Sequence, residues 1–186
     1  MAGKVVALKG INQGSEKVHQ AFFVIIRGPL GAGKTTISKE LARDYNAHHI
    51  SIDEILEKFN LEEWEDGYIS EMSFLRVNEI AAKESMMQLE NGLPVIFDGN
   101  FYYKSVILDL IGRLKEFEGI VITLAVPLEV CMRRDASRRS SLGENETRMV
   151  HKKSTEFNFG IEVNADRGRK EVLDNISRII KTKMKN

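Results

Sequence analysis

The sequence feature that most restricts the fold of this chain is a glycine-rich run that directly follows an apolar segment. Residues 22–26 are all apolar, and residues 28–35 read Gly-Pro-Leu-Gly-Ala-Gly-Lys-Thr, which matches G-x-x-x-x-G-K-[ST] at every fixed position. Ile37, Leu41 and Tyr45 then recur four residues apart, which predicts an amphipathic helix. A buried strand, a glycine-rich loop and a helix in this order predict a loop that binds phosphate groups at the start of the helix.

Each fixed residue of this phosphate loop, residues 28–35, has a physical role. Gly28 and Gly33 allow a positive φ and a close approach of the backbone to a phosphate. Lys34 can reach the β- and γ-phosphates of a nucleotide, and the Thr35 hydroxyl can ligate magnesium. We therefore predict ATP and Mg²⁺ as cofactors, and the absence of an Asn-Lys-x-Asp motif favours ATP over GTP. The predicted nucleotide-binding residues of this region are Gly28, Pro29, Leu30, Gly31, Ala32, Gly33, Lys34, Thr35 and Thr36.

Apolar runs alternate with amphipathic segments along the rest of the chain. Further strands are predicted for the short runs at residues 48–52, 94–97, 120–126 and 161–163. Because parallel strands need crossover helices, we predict a three-layer α/β/α P-loop domain with a parallel sheet of about five strands. The polar, arginine-rich residues 134–153 are predicted to form its lid. We assign residues 21–186 to this domain and residues 1–20 to an N-terminal extension that is expected to be flexible.

Two aspartates follow predicted strands. Asp53 comes after the run at 48–52, and Asp98 comes after the run at 94–97. Ligands of open α/β sheets bind outside the carboxyl ends of the strands, so both carboxylates are expected to face the phosphates. There an aspartate can support magnesium or accept a proton from an attacking hydroxyl. The alternative is that Asp53 caps a helix and that Asp98 belongs to a turn.

Arginines cluster in the segment that enters the predicted lid. Arg134 and Arg138 are four residues apart, so they share one face of a helix, and Arg133 and Arg139 lie beside them. Guanidinium groups can neutralise a transferring phosphoryl group or stack on a base. The alternative is a solvated basic face.

Other polar and aromatic groups are weaker candidates. His48 and His49 are adjacent on a predicted strand and therefore point to opposite faces, which argues against a shared metal site. The aromatic residues within 61–68 and 101–103 flank the two aspartates and could line an acceptor pocket, or could simply be a surface helix and a helix start.

Composition excludes some classes of function. Lysine plus arginine and aspartate plus glutamate both number 27, and this balance argues against nucleic acid as the main partner without excluding a short end. A single cysteine cannot form an intramolecular disulfide, and no apolar run approaches the ~20 residues that span a bilayer. We therefore expect a cytoplasmic protein with no membrane partner. The sequence does not indicate an oligomeric state.

With these residues in place, residues 22–184 resemble the small P-loop kinases, and most closely the group that contains polynucleotide kinase, adenylylsulfate kinase, zeta toxin and chloramphenicol phosphotransferase. The phosphate loop is specific for the superfamily and carries little information about substrate. In several of these families a residue at the position of Asp53 lies beside the acceptor hydroxyl. Residues 126–135 are similar to the segment that enters their mobile lid, where arginines corresponding to Arg134 and Arg138 contact ATP. The substrate signatures that separate these families are absent.

The sequence therefore predicts an ATP-dependent phosphotransferase that acts on a small hydroxyl-bearing acceptor. The predicted catalytic residues are Lys34, Asp53, Arg134 and Arg138, and the predicted magnesium residues are Thr35 and Asp98. The acidic residues 62–66 would repel a polyanion, which favours a neutral or cationic acceptor. Two alternatives remain open: a kinase for a nucleoside, a nucleotide or a polynucleotide end, and a nucleotide-binding regulatory module with slow ATPase activity.

Overall fold

The computed structural model describes residues 21–185, and its centre is a parallel sheet of five strands. The strands are β1 (Phe22–Arg27), β2 (His48–Ser51), β5 (Val95–Asp98), β6 (Glu118–Ala125) and β7 (Ile161–Asn164). Their order across the sheet is β2-β5-β1-β6-β7. All four neighbouring pairs are parallel. The predicted fold class and strand number are confirmed, while the predicted extension at residues 1–20 lies outside the described residues.

Helices connect the strands and cover both faces of the sheet. They are α1 (Lys34–Asp44), α2 (Ile52–Lys58), α3 (Glu71–Glu90), α4 (Lys104–Arg113), α5 (Leu128–Ala136), α6 (Glu144–Ser154) and α7 (Arg169–Lys183). Alternate residues of each buried strand point to opposite faces, so each strand contributes to two apolar clusters. Phe23 and Ile25 pack with α2, α3 and α4, whereas Val24 and Ile26 pack with α1 and α7.

Local structure departs from the sequence prediction at residues 51–53. The strand was predicted to run through Ile52, but β2 ends at Ser51 and α2 begins at Ile52. The side chain of Ser51 is the cap of this helix, because its hydroxyl accepts a hydrogen bond from the Glu54 amide. Asp53 therefore lies in the first turn of α2 rather than directly at a strand end, and it does not cap the helix.

Two further segments differ from expectation. A short antiparallel hairpin, β3 (Trp64–Glu65) with β4 (Tyr68–Ile69), projects from the domain between α2 and α3. The strands are too short for a period-two pattern to be recognised in the sequence. The arginine-rich stretch predicted to be a lid contains the end of α5, an exposed loop and all but the last residue of α6.

The strand order brings the phosphate loop and the loops after β2 and β5 to one edge of the sheet. β1 is central and β5 is its neighbour, so Arg27 and Asp98 end adjacent parallel strands. None of the helices within residues 21–185 is both long and apolar enough to span a membrane.

Candidate active site

The phosphate loop has the backbone that its glycines predict. Gly28 and Gly33 have φ values of 151° and 91°. Gly33 is the residue before α1, so the helix begins at Lys34 and directs its amino end towards the loop. The first amides of a helix have no partner within the helix, and they carry the positive end of its dipole. This arrangement is suited to binding an anion.

Gly31 is required for a reason that the sequence pattern does not show. Its φ is 80°, and a Cβ atom at this position would lie 2.6 Å from the carbonyl oxygen of Cys131 in α5. The phosphate loop therefore packs backbone to backbone against the helix that carries the predicted lid arginines. Cys131 is fully buried there, and burial raises the pKa of its thiol to about 11.

Lys34 is held beside the loop by two oxygen acceptors. Its Nζ donates to the carbonyl oxygen of Pro29 at 3.1 Å and to Oδ1 of Asn100 at 2.9 Å. Burial lowers the pKa of Lys34, and the nearby carboxylates of Asp53 and Asp98 oppose this shift. These two acceptors hold the ammonium group beside the phosphate loop.

Asp53 lies on the other side of Asn100. Its two carboxylate oxygens accept hydrogen bonds from the backbone amide and from Nδ2 of Asn100, both at 3.4 Å. Burial raises the pKa of Asp53, although Lys34 and the Asn100 amide act in the opposite direction. The structure therefore brings Asp53 and Lys34 together through Asn100. Asn100 was not among the predicted site residues, and its position two residues after Asp98 at a strand end was the signal available for finding it.

Asp98 ends β5 and is almost completely buried. Its Oδ1 lies 3.2 Å from Nε2 of His49, whereas its Oδ2 has no hydrogen-bond partner among the described residues. Burial by itself would raise the pKa of Asp98, but the His49 side chain and the nearby polar groups of Thr35 and Ser38 outweigh it, so the pKa is lowered. Asp98 therefore remains an anion inside the site.

These groups fit a bound magnesium ion. Mg²⁺ prefers oxygen ligands and retains several water molecules. Asp98 offers a buried carboxylate oxygen without a partner, and the exposed Thr35 hydroxyl lies beside it. No group of three or more His, Cys, Asp or Glu side chains that could hold a metal ion occurs within residues 21–185, so a cation here would be shared with nucleotide oxygens and water.

Arginines line a cavity beside the phosphate loop. This cavity has a volume of about 290 Å³, and both Arg134 and Arg138 contribute to its wall. Nη2 of Arg134 donates to the carbonyl oxygen of Ala165 at 3.0 Å, whereas Arg138 is exposed. Arg167 and Arg169, from the loop after β7 and the start of α7, line the same cavity and were not predicted. The sequence feature that could have indicated them is that both arginines closely follow the last predicted strand.

Aromatic residues attach the β3–β4 hairpin to the rest of the domain. The hydroxyls of Tyr102 and Tyr103 donate to the carbonyl oxygen of Ile69 at 3.4 and 3.1 Å. Tyr102 is buried, so it is mainly a core residue rather than part of an open pocket. Nζ of Lys153 in α6 lies 5.5 Å from the ring centre of Tyr68 and 5.2 Å from that of Tyr103, which are cation–π distances.

A cavity of about 280 Å³ lies between this hairpin and α2. Glu57, Glu62 and the largely exposed Trp64 contribute to its wall. Glu62 is close enough to Asp53 to raise the pKa of that carboxyl. An open volume with an acidic and aromatic wall therefore lies against α2, the helix that carries Asp53.

Arg27, the last residue of β1, joins this region to α6. It is fully buried, and its guanidinium donates to the carbonyl oxygens of Phe101 and Ser154 at 3.1 and 2.7 Å. Its Cζ lies 4.4 Å from the ring centre of Phe157. Burial without a carboxylate partner lowers the pKa of Arg27 to about 10. Arg27 was not among the predicted site residues, because an arginine at the end of a strand is normally exposed to solvent.

Comparison with known proteins identifies the sequence family. Residues 23–156 match the AAA_33 family, which is described as an AAA domain. The matched segment includes all but the first residue of β1, the phosphate loop, both aspartates and the predicted lid. No curated protein matches the sequence.

Solved structures with the same fold include several small kinases. An unliganded sugar kinase from Janibacter sp. HTCC2649 is 15% identical with a TM-score of 0.72, covering 87% of this chain and 95% of its own. The shikimate kinase of Acinetobacter baumannii in complex with shikimate is 22% identical with a TM-score of 0.59, covering 90% and 97%. The APS kinase CysC of Mycobacterium tuberculosis with AMPPNP and APS is 13% identical with a TM-score of 0.65, covering 87% and 98%. At these identities the likeness describes the fold alone.

Proposed function

Since this chain belongs to the AAA_33 family of AAA domains and has the fold of the small P-loop kinases, we propose that it is an ATP-dependent phosphotransferase acting on a small hydroxyl-bearing acceptor. The reaction would move the γ-phosphoryl group of ATP to the acceptor oxygen, with ADP as the leaving group and the hydroxyl proton passing to the protein or to water.

The observation that carries this proposal is the hydrogen-bonded series of Lys34, Asn100 and Asp53. Lys34 binds the phosphates in P-loop proteins. Asp53, at the other end of the series, is a carboxylate with a raised pKa, and it lies in α2, the helix that also lines the hairpin cavity. A protein that only senses a nucleotide has no need for a proton acceptor connected to its phosphate-binding lysine.

In this mechanism the chain's own groups act mainly by position and charge. The loop amides and Lys34 hold the β- and γ-phosphates, and Asp53 orients the acceptor hydroxyl and accepts its proton. Arg134 and Arg138 contact the nucleotide from the cavity beside the loop. Thr35 and Asp98 would hold magnesium, which neutralises charge on the phosphate oxygens when bound.

The acceptor side favours a neutral or cationic small molecule. The hairpin and the segment before it carry Glu62, Glu63, Glu65 and Asp66, and of these only Glu63 forms an ion pair within the described residues, with Arg76. Such a surface repels a phosphorylated acceptor. Trp64 is an exposed aromatic surface, but it shares the cavity wall with Glu57 and Glu62, and this acidic wall disfavours the alternative of a polynucleotide-end kinase. The cavity against the helix that carries Asp53 disfavours the alternative of a regulatory module.

The proposal is tested by incubating the protein with γ-³²P-ATP, Mg²⁺ and panels of amino alcohols, sugars and amino sugars, nucleosides, and 5′-hydroxyl oligonucleotides. We expect label transfer to a member of the amino alcohol, sugar or amino sugar panels, at a rate that falls about 10²-fold or more when Asp53→Asn replaces the wild-type protein. Exclusive labelling of nucleosides or oligonucleotides, or phosphate release without any labelled acceptor, would reject this acceptor class and support one of the alternatives.

A further inference from the structure

His49 contacts the buried carboxylate of Asp98 from the neighbouring strand. β2 pairs with β5 so that His49 lies opposite Ile96, and Ser51 lies opposite Asp98. Ile96 and Asp98 point to the same face of β5, which is the face covered by α1. The imidazole of His49 therefore lies on that face too, with Nε2 3.2 Å from Oδ1 of Asp98 and 3.1 Å from Oγ of Ser38.

The direction of this hydrogen bond follows from the chemistry of the groups. The Asp98 carboxylate can only accept, so Nε2 of His49 carries the hydrogen and donates to Oδ1. Ser38 Oγ donates to the carbonyl oxygen of Thr35 and can accept from the same imidazole. Oδ2 of Asp98 is then the oxygen left without a partner among the described residues, although it is buried.

A buried carboxylate oxygen without a partner is costly unless a ligand satisfies it. The terminal torsion of an aspartate is broad, so the carboxylate of Asp98 could rotate and exchange its two oxygens. A donor fixed to an adjacent strand prevents this exchange, because it holds one oxygen in a defined place. The largely buried His49 side chain is such a donor.

We propose that His49 is a positioning residue for the cation site, holding Oδ1 of Asp98 so that Oδ2 remains directed to the magnesium of bound Mg-ATP. This inference rests on the nucleotide-binding part of the proposed function and is independent of the acceptor. Partners of this kind contribute about 10- to 100-fold to metal affinity in other proteins. His49 is thereby distinguished from His48, which points to the opposite face and pairs with Glu84 on the surface.

The test measures metal binding rather than turnover. Binding of Mn²⁺ to the complex of the protein with a non-hydrolysable ATP analogue is followed by electron paramagnetic resonance, and binding of a fluorescent ATP analogue is measured in EDTA. We expect His49→Leu to weaken Mn²⁺ binding about tenfold or more, while the metal-free nucleotide affinity changes less than twofold. His49→Gln should retain most of the Mn²⁺ affinity, since its amide nitrogen can replace Nε2 as the donor.

Two further variants complete the design. His49→Asn retains a polar side chain that is too short to reach Asp98, so it should weaken Mn²⁺ binding even if His49→Leu fails to fold. His48→Leu is the matched control and should bind both Mn²⁺ and nucleotide like the wild type.

Unchanged Mn²⁺ affinity in folded His49→Leu or His49→Asn would overturn the proposal. The proposal would also be overturned if these variants lost metal-free nucleotide affinity as much as Mn²⁺ affinity, since His49 would then only support the phosphate loop. Failure of the wild type to bind nucleotide would refute the proposed function as well, whereas absence of an acceptor would leave this inference intact.

Discussion

Nζ of Lys34 donates a hydrogen bond to Oδ1 of Asn100 at 2.9 Å, across the gap between the ends of two neighbouring parallel strands. The amide groups of Asn100 donate in turn to Asp53. A single asparagine thus connects the lysine of the phosphate loop with the proposed proton acceptor. Binding of a phosphate would compete for Lys34 and so alter the surroundings of Asp53.

Replacement of the loop lysine should abolish function without unfolding the protein. We expect Lys34→Ala to reduce turnover by about 10²–10³-fold, because a charge that stabilises the transferring phosphoryl group is lost. Lys39→Ala is the matched control, since Lys39 lies further along the same helix and forms only an exposed ion pair with Glu54. Calorimetric titration with the ATP analogue measures nucleotide affinity, and single-turnover assays measure the rate of phosphoryl transfer. Unchanged affinity and turnover in Lys34→Ala would contradict a phosphate site at this loop.

Asp53→Asn should separate acceptor chemistry from nucleotide binding. The substitution preserves size but removes basicity, so turnover should fall about 10²-fold or more while ATP affinity changes little. Glu54→Gln, an exposed neighbour in α2, provides the control. Full activity of Asp53→Asn would show that the carboxylate is not the proton acceptor.

The pH dependence of the wild type gives a second test of Asp53. Burial raises the pKa of this carboxyl above its usual 3.8. A base acts only when it is deprotonated, so activity should be lost, as the pH falls, at a higher pH than an exposed aspartate would give. The residual activity of Asp53→Asn should lack this decline. Profiles of kcat/KM against pH are compared with the nucleotide affinity measured at each pH. This comparison distinguishes protonation of Asp53 from weaker ATP binding.

Arg27 should contribute strongly to stability. Arg27→Ala leaves the buried carbonyl oxygens of Phe101 and Ser154 without their donor, and each such group costs about 1–3 kcal/mol. We therefore expect the free energy of unfolding to fall by about 3 kcal/mol, as measured by urea denaturation. Arg148→Ala removes an arginine of α6 that pairs with Glu144 on the exposed surface, and it should change stability by less than about 0.5 kcal/mol. Equal effects of the two substitutions would contradict a special role for Arg27.

The predicted lid at residues 134–153 should respond to nucleotide in only part of its length. The loop at 137–142 is exposed, and Asp135 holds its far end through hydrogen bonds to Ser141, Leu142 and Gly143. The end of α6 is anchored, since the imidazole of His151 contacts the carbonyl oxygen of Val126. Hydrogen exchange with and without the ATP analogue should show increased protection at 137–148 and little change around Ile176. Equal protection in both states would mean that this segment is a fixed part of the domain.

Local sequence determined much of the fold. The apolar run of β1, the glycines of the phosphate loop and the spacing of α1 each act over a few residues, so strand, loop and helix could all be predicted from them. Alternation of such units required crossover connections and hence a parallel sheet. The same strand-end argument indicated Asp98 and the general place of Asp53.

Tertiary structure decided which residues meet at the edge of that sheet. The order β2-β5-β1 places His49 against Asp98, and Asn100 between Lys34 and Asp53, although these partners lie between 47 and 66 residues apart in the chain. The burial of Arg27 likewise depends on carbonyl groups from a loop after β5 and from the end of α6. Hydropathy and spacing describe interactions between residues that are near in sequence, whereas these hydrogen bonds form only after distant strands have paired. Sequence alone therefore determined the phosphate loop and its sheet, and only the packing of distant segments determined the partners that orient its charged groups.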